Sequence, residues 1–209
     1  MPRAALTEEH LGIWMNFIEK DNTYCKYYDE FVVLLETGMR VSEFCGLTRK
    51  DLDFKNRRIR VDHQLIRERG GKYYVEETKT SSGRRFLPMN ETVYNSLKKM
   101  LERRPTVKAE PMVDGYSGFI MLDKNDSPKV ALHIENEMRW AKKHQKLHPD
   151  KPLPHITPYV FRHTCCTNMN FILLGIAEFM LAGILAAGTF ALALGSKDTE
   201  EFVDKTISK

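Results

Sequence analysis

The sequence predicts a mainly helical α+β fold that contains a small antiparallel β-sheet. Apolar residues recur at helical spacing before residue 50 and after residue 90, whereas polar and apolar residues alternate in short runs between residues 58 and 87. Hydrophobic residues make up 42% of the 209-residue chain and charged residues 29%, which excludes disorder as the main state. A chain of this length can bury one substantial core.

The N-terminal part predicts two helices and a short third one. Thr7 can cap a helix over Glu8–Glu19, and the apolar pattern predicts a second helix over Tyr24–Glu36. Gly38 interrupts that pattern, and a short helix is expected over Arg40–Cys45. The chain therefore turns just before Arg40.

The middle of the chain predicts three strands of a small antiparallel sheet. We expect them over Arg58–Asp62, Lys72–Glu76 and Arg84–Leu87, with a polar turn over Thr80–Gly83 between the second and the third. This arrangement presents Lys79 at the tip of a hairpin.

The following region predicts mainly helices. Asn90 can cap a helix over Glu91–Arg103, and Pro158 suits the first position of a helix that continues to Met169. Between these two helices we expect a short strand or an extended segment over Gly118–Leu122 and a helix over His133–His148.

The composition changes abruptly after Met169. Phe171–Gly195 is apolar apart from Glu178, and a polar tail closes the chain. We therefore divide the chain into an incomplete folded domain (1–169), an apolar helical segment (170–195) and a tail (196–209). Three origins of the apolar segment stay open, in order of preference: a change of reading frame or a truncation, a buried helical hairpin, and a membrane anchor.

The charge and the cysteine content limit the binding partners and the cellular compartment that we expect for the protein. The net charge is +4, with the basic excess in residues 1–169, which permits nucleic-acid binding without requiring it. The cysteines are too few and too unevenly spaced for a disulfide framework, and no C-x-x-C pair suggests zinc. The N-terminus has no apolar signal-peptide segment, so a reduced, cytoplasmic setting is expected.

Two basic residues in the first half of the chain are candidate phosphate ligands. Arg40 follows the turn at a helix start, where backbone N–H groups favour an anion, and Glu43 can orient its guanidinium from the same helical face. Lys79, beside the polar turn, could reach a phosphate or protonate a leaving oxygen. Each feature, taken alone, also fits an ordinary solvated surface.

A further group of candidates lies on the last predicted helix and around the sheet. Tyr159 and Arg162 are three residues apart and share a helix face. A second guanidinium would complete a clamp on one phosphate, because its geometry matches phosphate oxygens. Arg84 and Arg85, among the basic residues of the predicted sheet, suit contacts with the backbone of a DNA duplex.

The order of these motifs resembles the tyrosine recombinase (phage integrase) family, and the integrases of conjugative transposons in particular. The resemblance is carried by FVVLLETGMR at 31–40, CGL at 45–47, ETKTSSGRR at 77–85 and RHT at 162–164. It covers about Leu6–Met169. It implies the catalytic-domain fold of these enzymes, site-specific DNA recombination, and double-stranded DNA as the partner.

The resemblance also implies a mechanism in which a tyrosine hydroxyl attacks a DNA phosphodiester and forms a 3′-phosphotyrosyl link. No metal or nucleotide cofactor is expected. Arg40 and Arg162 match the family arginines that bind the non-bridging oxygens. Lys79 matches the lysine that acts as general acid, and Glu43 matches the supporting acidic residue. Tyr159 stands where the family most often has histidine, and a phenol is a poor base at neutral pH.

Two departures from the family pattern change the expected activity. No tyrosine follows Tyr159, so the nucleophile has no match and we expect no cleavage of DNA by the family mechanism. The family's N-terminal DNA clamp also has no match, which predicts weak and strongly salt-dependent DNA binding. The alternative is a non-catalytic DNA-binding relic or regulator of recombination sites. A membrane-associated protein is the third hypothesis, and a homo-oligomer on DNA stays open.

Overall fold

Six α-helices hold nearly half of the described residues in the structure, a computed structural model that describes residues 5–78, 83–145 and 153–167. Thr7 Oγ1 accepts from His10 N at 3.2 Å and Asn90 Oδ1 accepts from Val93 N at 2.8 Å, so both predicted helix caps are confirmed. The helices are α1 (Glu8–Lys20), α2 (Tyr28–Thr37), α3 (Val41–Gly46), α4 (Glu91–Arg103), α5 (Ala131–Gln145) and α6 (residues 158–167).

Within the described residues, the strands form three small antiparallel sheets. Their orders are β1-β2-β5, β3-β4 and β6-β7. The strands are β1 (Leu52–Asp53), β2 (Arg58–Val61), β3 (His63–Arg67), β4 (Tyr73–Glu77), β5 (Arg85–Pro88), β6 (Met112–Val113) and β7 (Tyr116–Ser117). The predicted fold class, mainly helical α+β with small antiparallel sheet structure, is therefore confirmed.

The predicted hairpin between the second and third strands is wrong. β4 pairs with β3, with Val75 opposite Leu65, whereas β5 pairs with β2, with Leu87 opposite Ile59. Strand β3 escapes the sequence prediction because the polar His63 occupies one of its buried positions, which a hydrophobic pattern assigns to solvent. The strands that precede and follow residues 79–82 thus belong to different sheets.

The aromatic core joins three helices. Trp14 of α1, Phe31 of α2 and Phe161 of α6 are fully buried, with ring centroids 6.3 Å apart for the first pair and 6.2 Å for the second. Burying each such side chain contributes about 1.5–3 kcal/mol. The core therefore fixes α6 against α2, whose C-terminal end leads directly to Gly38 and Arg40.

The extended segment predicted over Gly118–Leu122 is confirmed at its start. Arg49 N donates to Gly118 O and Ile120 N donates to Leu47 O, both at 3.0 Å, so this segment runs alongside the chain that leaves α3. α3 itself packs against β3 and α5. The short helix that follows Arg40 is thus enclosed by elements from three parts of the sequence.

The region after residue 167 lies outside the described residues, and so do the predicted apolar segment Phe171–Gly195 and the polar tail. Their origin and the domain boundary at Met169 stay predictions. Among the helices that the structure describes, none has the length and apolar character needed to cross a membrane. Cys25, Cys45, Cys165 and Cys166 all carry free thiols.

Candidate functional site

Arg40 and Glu43 form an ion pair at the start of α3. Arg40 has extended backbone, and its N and Nη1 atoms donate to the Glu43 carboxylate at 2.8 and 2.9 Å. The Glu43 side chain is only 2% exposed, whereas that of Arg40 is 58% exposed. The buried carboxylate therefore holds one edge of a guanidinium on a side chain that is more than half exposed. The contact that the sequence predicts between these two side chains is present.

The Glu43 carboxylate binds a second arginine as well. Arg85 of β5 donates from Nη2 to Oε2 at 2.7 Å and from Nη1 to Oε1 at 3.2 Å. Burial alone would raise the pKa of Glu43, but hydrogen bonds from Arg85 and Arg40 outweigh it and lower the pKa below the ordinary value. Glu43 is consequently an anion at neutral pH, shared by two guanidinium groups.

Arg162 of α6 is fixed to the turn before Arg40. Its Nη1 donates to the carbonyl oxygen of Gly38 at 2.5 Å. Gly38 has a φ of +58°, and a Cβ at this position would lie 2.9 Å from Cys165 Sγ. Only glycine accommodates both the left-handed backbone and this close approach of α6. The two arginines predicted to bind phosphate are therefore attached to the same short segment, residues 38–43.

Arg40, Tyr159 and Arg162 line one open cleft of about 960 Å³. The Tyr159 side chain is 56% exposed. The lining of the cleft includes one acidic residue, Glu135. Three cations on α5 also line it, namely Arg139, Lys142 and Lys143. A concave surface with this excess of positive charge attracts anions. Three of the four predicted catalytic residues are thus brought together.

Lys79, the fourth, lies outside the described residues. The chain before it is anchored, because Thr78 N donates to Asp62 O at 2.9 Å. The chain after it is anchored through Gly83 O, which accepts from Arg85 Nη1 at 3.2 Å. A smaller cavity of about 270 Å³ is lined by residues from both sides, including Arg40, Thr78 and Gly83.

The two arginines predicted to contact DNA differ in their surroundings. Arg84 is 61% exposed and pairs with Glu77 at 2.7 Å. Arg85 is 26% exposed and is directed to Glu43. Adjacent residues at the start of a strand face different sides, which explains why one guanidinium reaches solvent and the other does not.

Sequence reasoning missed a polar connection between α3 and β4. Ser42 Oγ donates to Gln64 Oε1 at 2.7 Å, and Gln64 Nε2 donates to Glu76 Oε2 at 2.7 Å. Gln64 lies on β3, the strand that the sequence does not predict. These two hydrogen bonds connect Ser42, which precedes Glu43, to β4, the strand before Lys79. In the sequence, only the ETK motif at 77–79 marks this region. It contains no hydrogen-bond partner for Ser42, so the sequence gives no signal for the connection.

A cluster of Asp51, Asp62 and His63 has the residue types of a metal site, with ligand atoms within 4.8 Å of one another. His63 Nε2 contacts Gly46 O at 2.8 Å, and a carbonyl oxygen only accepts, so Nε2 carries a proton. His63 Nδ1 lies 2.6 Å from Asp62 Oδ1. Asp51 accepts from Thr48 and Arg60. These hydrogen bonds join β3 to α3 and join β2 to the segment that follows α3.

The family model for the phage integrase family matches residues 4–171. The chain belongs to the phage integrase family. The transposase of transposon Tn916 from Enterococcus faecalis is 47% identical over 169 residues, which is 80% of this chain and 41% of that protein. The integrase of Staphylococcus phage L54a is 32% identical over 61% of this chain and 35% of its own. This phage integrase family chain thus spans about two fifths of these relatives.

Solved structures agree with the family assignment. The integrase of transposon Tn1549, in complex with circular intermediate DNA, matches with a TM-score of 0.77 and 41% identity, over 81% of this chain and 55% of that one. The structure of XerA recombinase matches with a TM-score of 0.55 at 24% identity and supports the fold alone. The described chain is therefore a tyrosine recombinase catalytic domain of the transposon integrase type.

Proposed function

We propose that this domain binds a backbone phosphate of double-stranded DNA in the cleft between α3, α5 and α6. The proposal rests on one observation: Arg40 and Arg162 line the same cleft, and protein acceptors hold both guanidinium groups before any ligand arrives. Pre-orientation of this kind strengthens binding because less side-chain freedom is lost when the anion binds. The DNA complex of the related Tn1549 integrase supports the choice of ligand.

Each proposed ligand has a distinct role. Arg40 and Arg162 bind the non-bridging oxygens of the phosphate, since guanidinium forks match phosphate geometry. The Tyr159 hydroxyl binds the phosphate as a fourth ligand. Lys79 also binds the phosphate, and where a tyrosine nucleophile is supplied it donates a proton to the leaving 5′-oxygen. Glu43 orients Arg40. Arg84 and Arg85 are the proposed contacts with the DNA backbone beyond the cleft.

The proposed activity of these 209 residues by themselves is DNA binding without strand cleavage. Strand transfer in this family needs a tyrosine nucleophile after the second arginine, and residues 163–209 include none. A nicked suicide substrate tests this part of the proposal directly. No covalent protein–DNA adduct should form, and an adduct that survives denaturation would show that another hydroxyl serves as nucleophile.

The second candidate is a non-catalytic DNA-binding protein that occupies recombination sites. The same missing tyrosine favours it. The two candidates differ in what a restored C-terminal segment does. A recombinase domain fused to the tyrosine-bearing segment of a transposon integrase should cleave its DNA, and Arg40→Gln should abolish that turnover. A binding protein without a functional site should stay inactive in the same fusion.

DNA binding is best measured by fluorescence anisotropy of a labelled duplex in a salt titration. Arg40→Gln and Arg162→Gln should each weaken binding about tenfold, as expected when a charged phosphate ligand is lost. Each should also reduce the slope of log K against log salt by about 0.9. Lys99→Gln, an exposed cation of α4 that does not line the cleft, is the charge-matched control and should change binding about twofold or less.

A further inference from the structure

Arg85 makes contacts that a DNA-binding surface residue would not need. It donates two hydrogen bonds to the Glu43 carboxylate and one to Gly83 O. These bonds tie β5 to α3 across 42 positions of the sequence. Arg84, one residue earlier, carries the same charge but pairs with the exposed Glu77. The chain therefore offers two adjacent arginines, of which one touches the Arg40 site and the other does not.

The buried Glu43 carboxylate needs more than one cation. Its Oε2 accepts from Arg40 N and Arg85 Nη2, and its Oε1 accepts from Arg40 Nη1 and Arg85 Nη1. Each oxygen thus serves both arginines. Removal of Arg85 would leave a buried carboxylate with half of its donors, a state that is costly unless the side chain rotates or takes up a proton.

Either response would disturb Arg40. More than half of the Arg40 side chain is exposed, and the hydrogen bonds that its N and Nη1 atoms donate both end on Glu43. A rotated Glu43 would release the guanidinium, and a protonated one would hold it less tightly, because a charged acceptor makes the stronger hydrogen bond. The pKa of Glu43, lowered chiefly by the Arg85 hydrogen bond against the effect of burial, agrees with this dependence.

We infer that Arg85 is a positioning residue, which fixes the Glu43 carboxylate and through it the Arg40 guanidinium, and that its effect on DNA binding passes through Arg40. This inference rests on the proposed function, since it assigns Arg85 a part in the same phosphate site. It differs from the backbone contact proposed above for Arg85, in which the guanidinium would act on DNA independently of Arg40.

A double-mutant cycle on DNA binding by the full chain separates the two roles. Arg85→Gln should weaken binding of a labelled duplex about tenfold, whereas Lys99→Gln, the exposed cation outside the cleft, should weaken it about twofold or less, as for one solvated charge. In the Arg40→Gln background, Arg85→Gln should have less than a twofold further effect, because the guanidinium that it positions is gone. Arg85→Lys should restore part of the affinity, since an ammonium reaches one Glu43 oxygen.

A readout without DNA keeps this inference distinct from the proposed function. The Arg40 backbone amide donates to Glu43 Oε2, so its proton resonance in an NMR spectrum reports the position of that carboxylate. Arg85→Gln should shift this resonance and Arg84→Gln should not. If no variant or wild-type chain binds DNA but the shift occurs, the proposed function fails and the positioning role stands.

Two results would overturn the positioning role. The first is an unchanged Arg40 amide resonance in folded Arg85→Gln protein. The second is additivity of Arg40→Gln and Arg85→Gln in DNA binding, which would make Arg85 an independent phosphate contact. Thermal unfolding of each variant establishes that the compared proteins are folded. If Arg85→Gln does not fold, Arg85→Lys carries the same cycle with a smaller expected effect of about threefold.

Discussion

Arg162 Nη1 donates a hydrogen bond to the carbonyl oxygen of Gly38 across 124 positions of the sequence. Arg40 follows two residues after Gly38, so the backbone of one short turn sets the position of both cleft arginines. A change in that turn should therefore affect the two guanidinium groups together.

Gly38→Ala should destabilise the fold by about 2–3 kcal/mol. The left-handed backbone alone costs a residue with a Cβ about 1–2 kcal/mol, and the new Cβ would lie 2.9 Å from Cys165 Sγ. Gly115→Ala is the matched control, because Gly115 has a φ of +84° with no atom within 4 Å of the new Cβ. Urea unfolding should show a clearly larger loss for Gly38→Ala. Equal losses would mean that the contact with Cys165 is not a constraint.

Lys129 binds two carboxylates in a buried cluster between α2 and α5. Its Nζ lies 2.8 Å from Glu30 Oε2 and 2.8 Å from Glu137 Oε1. Burial, with a contribution from Glu30, raises the pKa of Glu137 to about 7, although Lys129 acts in the opposite direction. Glu137 Oε2 is buried without a hydrogen-bond partner among the described residues.

Glu137 should therefore make stability depend on pH near neutrality. Because its pKa is higher in the folded state than the ordinary 4.5, its contribution is fully present below pH 4.5 and is lost as pH rises through about 7. Glu137→Gln, which stays neutral, should be more stable than wild type by about 2–3 kcal/mol at pH 8.5 and nearly equal at pH 4.5.

Urea unfolding at several pH values measures this difference. Glu91→Gln is the control, because Glu91 is an exposed carboxylate paired with Arg57 on the surface. Glu91→Gln should not remove the loss of stability between pH 4.5 and 8.5. A constant difference between wild type and Glu137→Gln across the whole range would show that Glu137 is ionised in the folded state throughout.

Gly12→Ala should stabilise the protein by about 1 kcal/mol. Gly12 lies within α1, and a Cβ at this position would have no atom within 4 Å. Alanine restricts the unfolded chain and favours the helix without a steric cost. Thermal unfolding should show a higher midpoint for this variant. A lower midpoint would mean that this face of α1 is covered by residues beyond those described.

The cluster of Asp51, Asp62 and His63 should not bind a metal ion. His63 Nε2 lies 2.8 Å from Gly46 O and Nδ1 lies 2.6 Å from Asp62 Oδ1, so a metal ion could reach either ring nitrogen only by displacing one of these contacts. Thermal unfolding with zinc chloride and with EDTA should give midpoints that agree to within about 1 °C, since a bound ion would stabilise the fold by mass action. A zinc-dependent rise that His63→Gln removes would establish a metal site.

Local patterns predict the helices and the arginine turn because their causes are local. The caps at Thr7 and Asn90, the break at Gly38 and the contact between Arg40 and Glu43 all join residues no more than three positions apart, or depend on one residue. The family resemblance, which is carried by the order of the motifs, predicted the catalytic-domain fold.

Long-range contacts could not be predicted in the same way. β5 pairs with β2 because β4 is already paired with β3. A hydrophobic pattern does not predict β3, because the polar His63 occupies one of its buried positions. The second cation on Glu43 comes from Arg85, 42 positions away, and the charge pattern alone assigns that arginine to the surface. The approach of Cys165 to Gly38 likewise has no sequence signal.

The most direct test of the phosphate site is a double-mutant cycle between Arg40→Gln and Arg162→Gln, measured as the affinity of the full chain for a labelled DNA duplex. If both guanidinium groups bind one phosphate, each single variant loses about tenfold and the double variant loses less than the product of the two. Losses that multiply fully would place the arginines on separate phosphates, and variants that bind like wild type would contradict a phosphate site in this cleft.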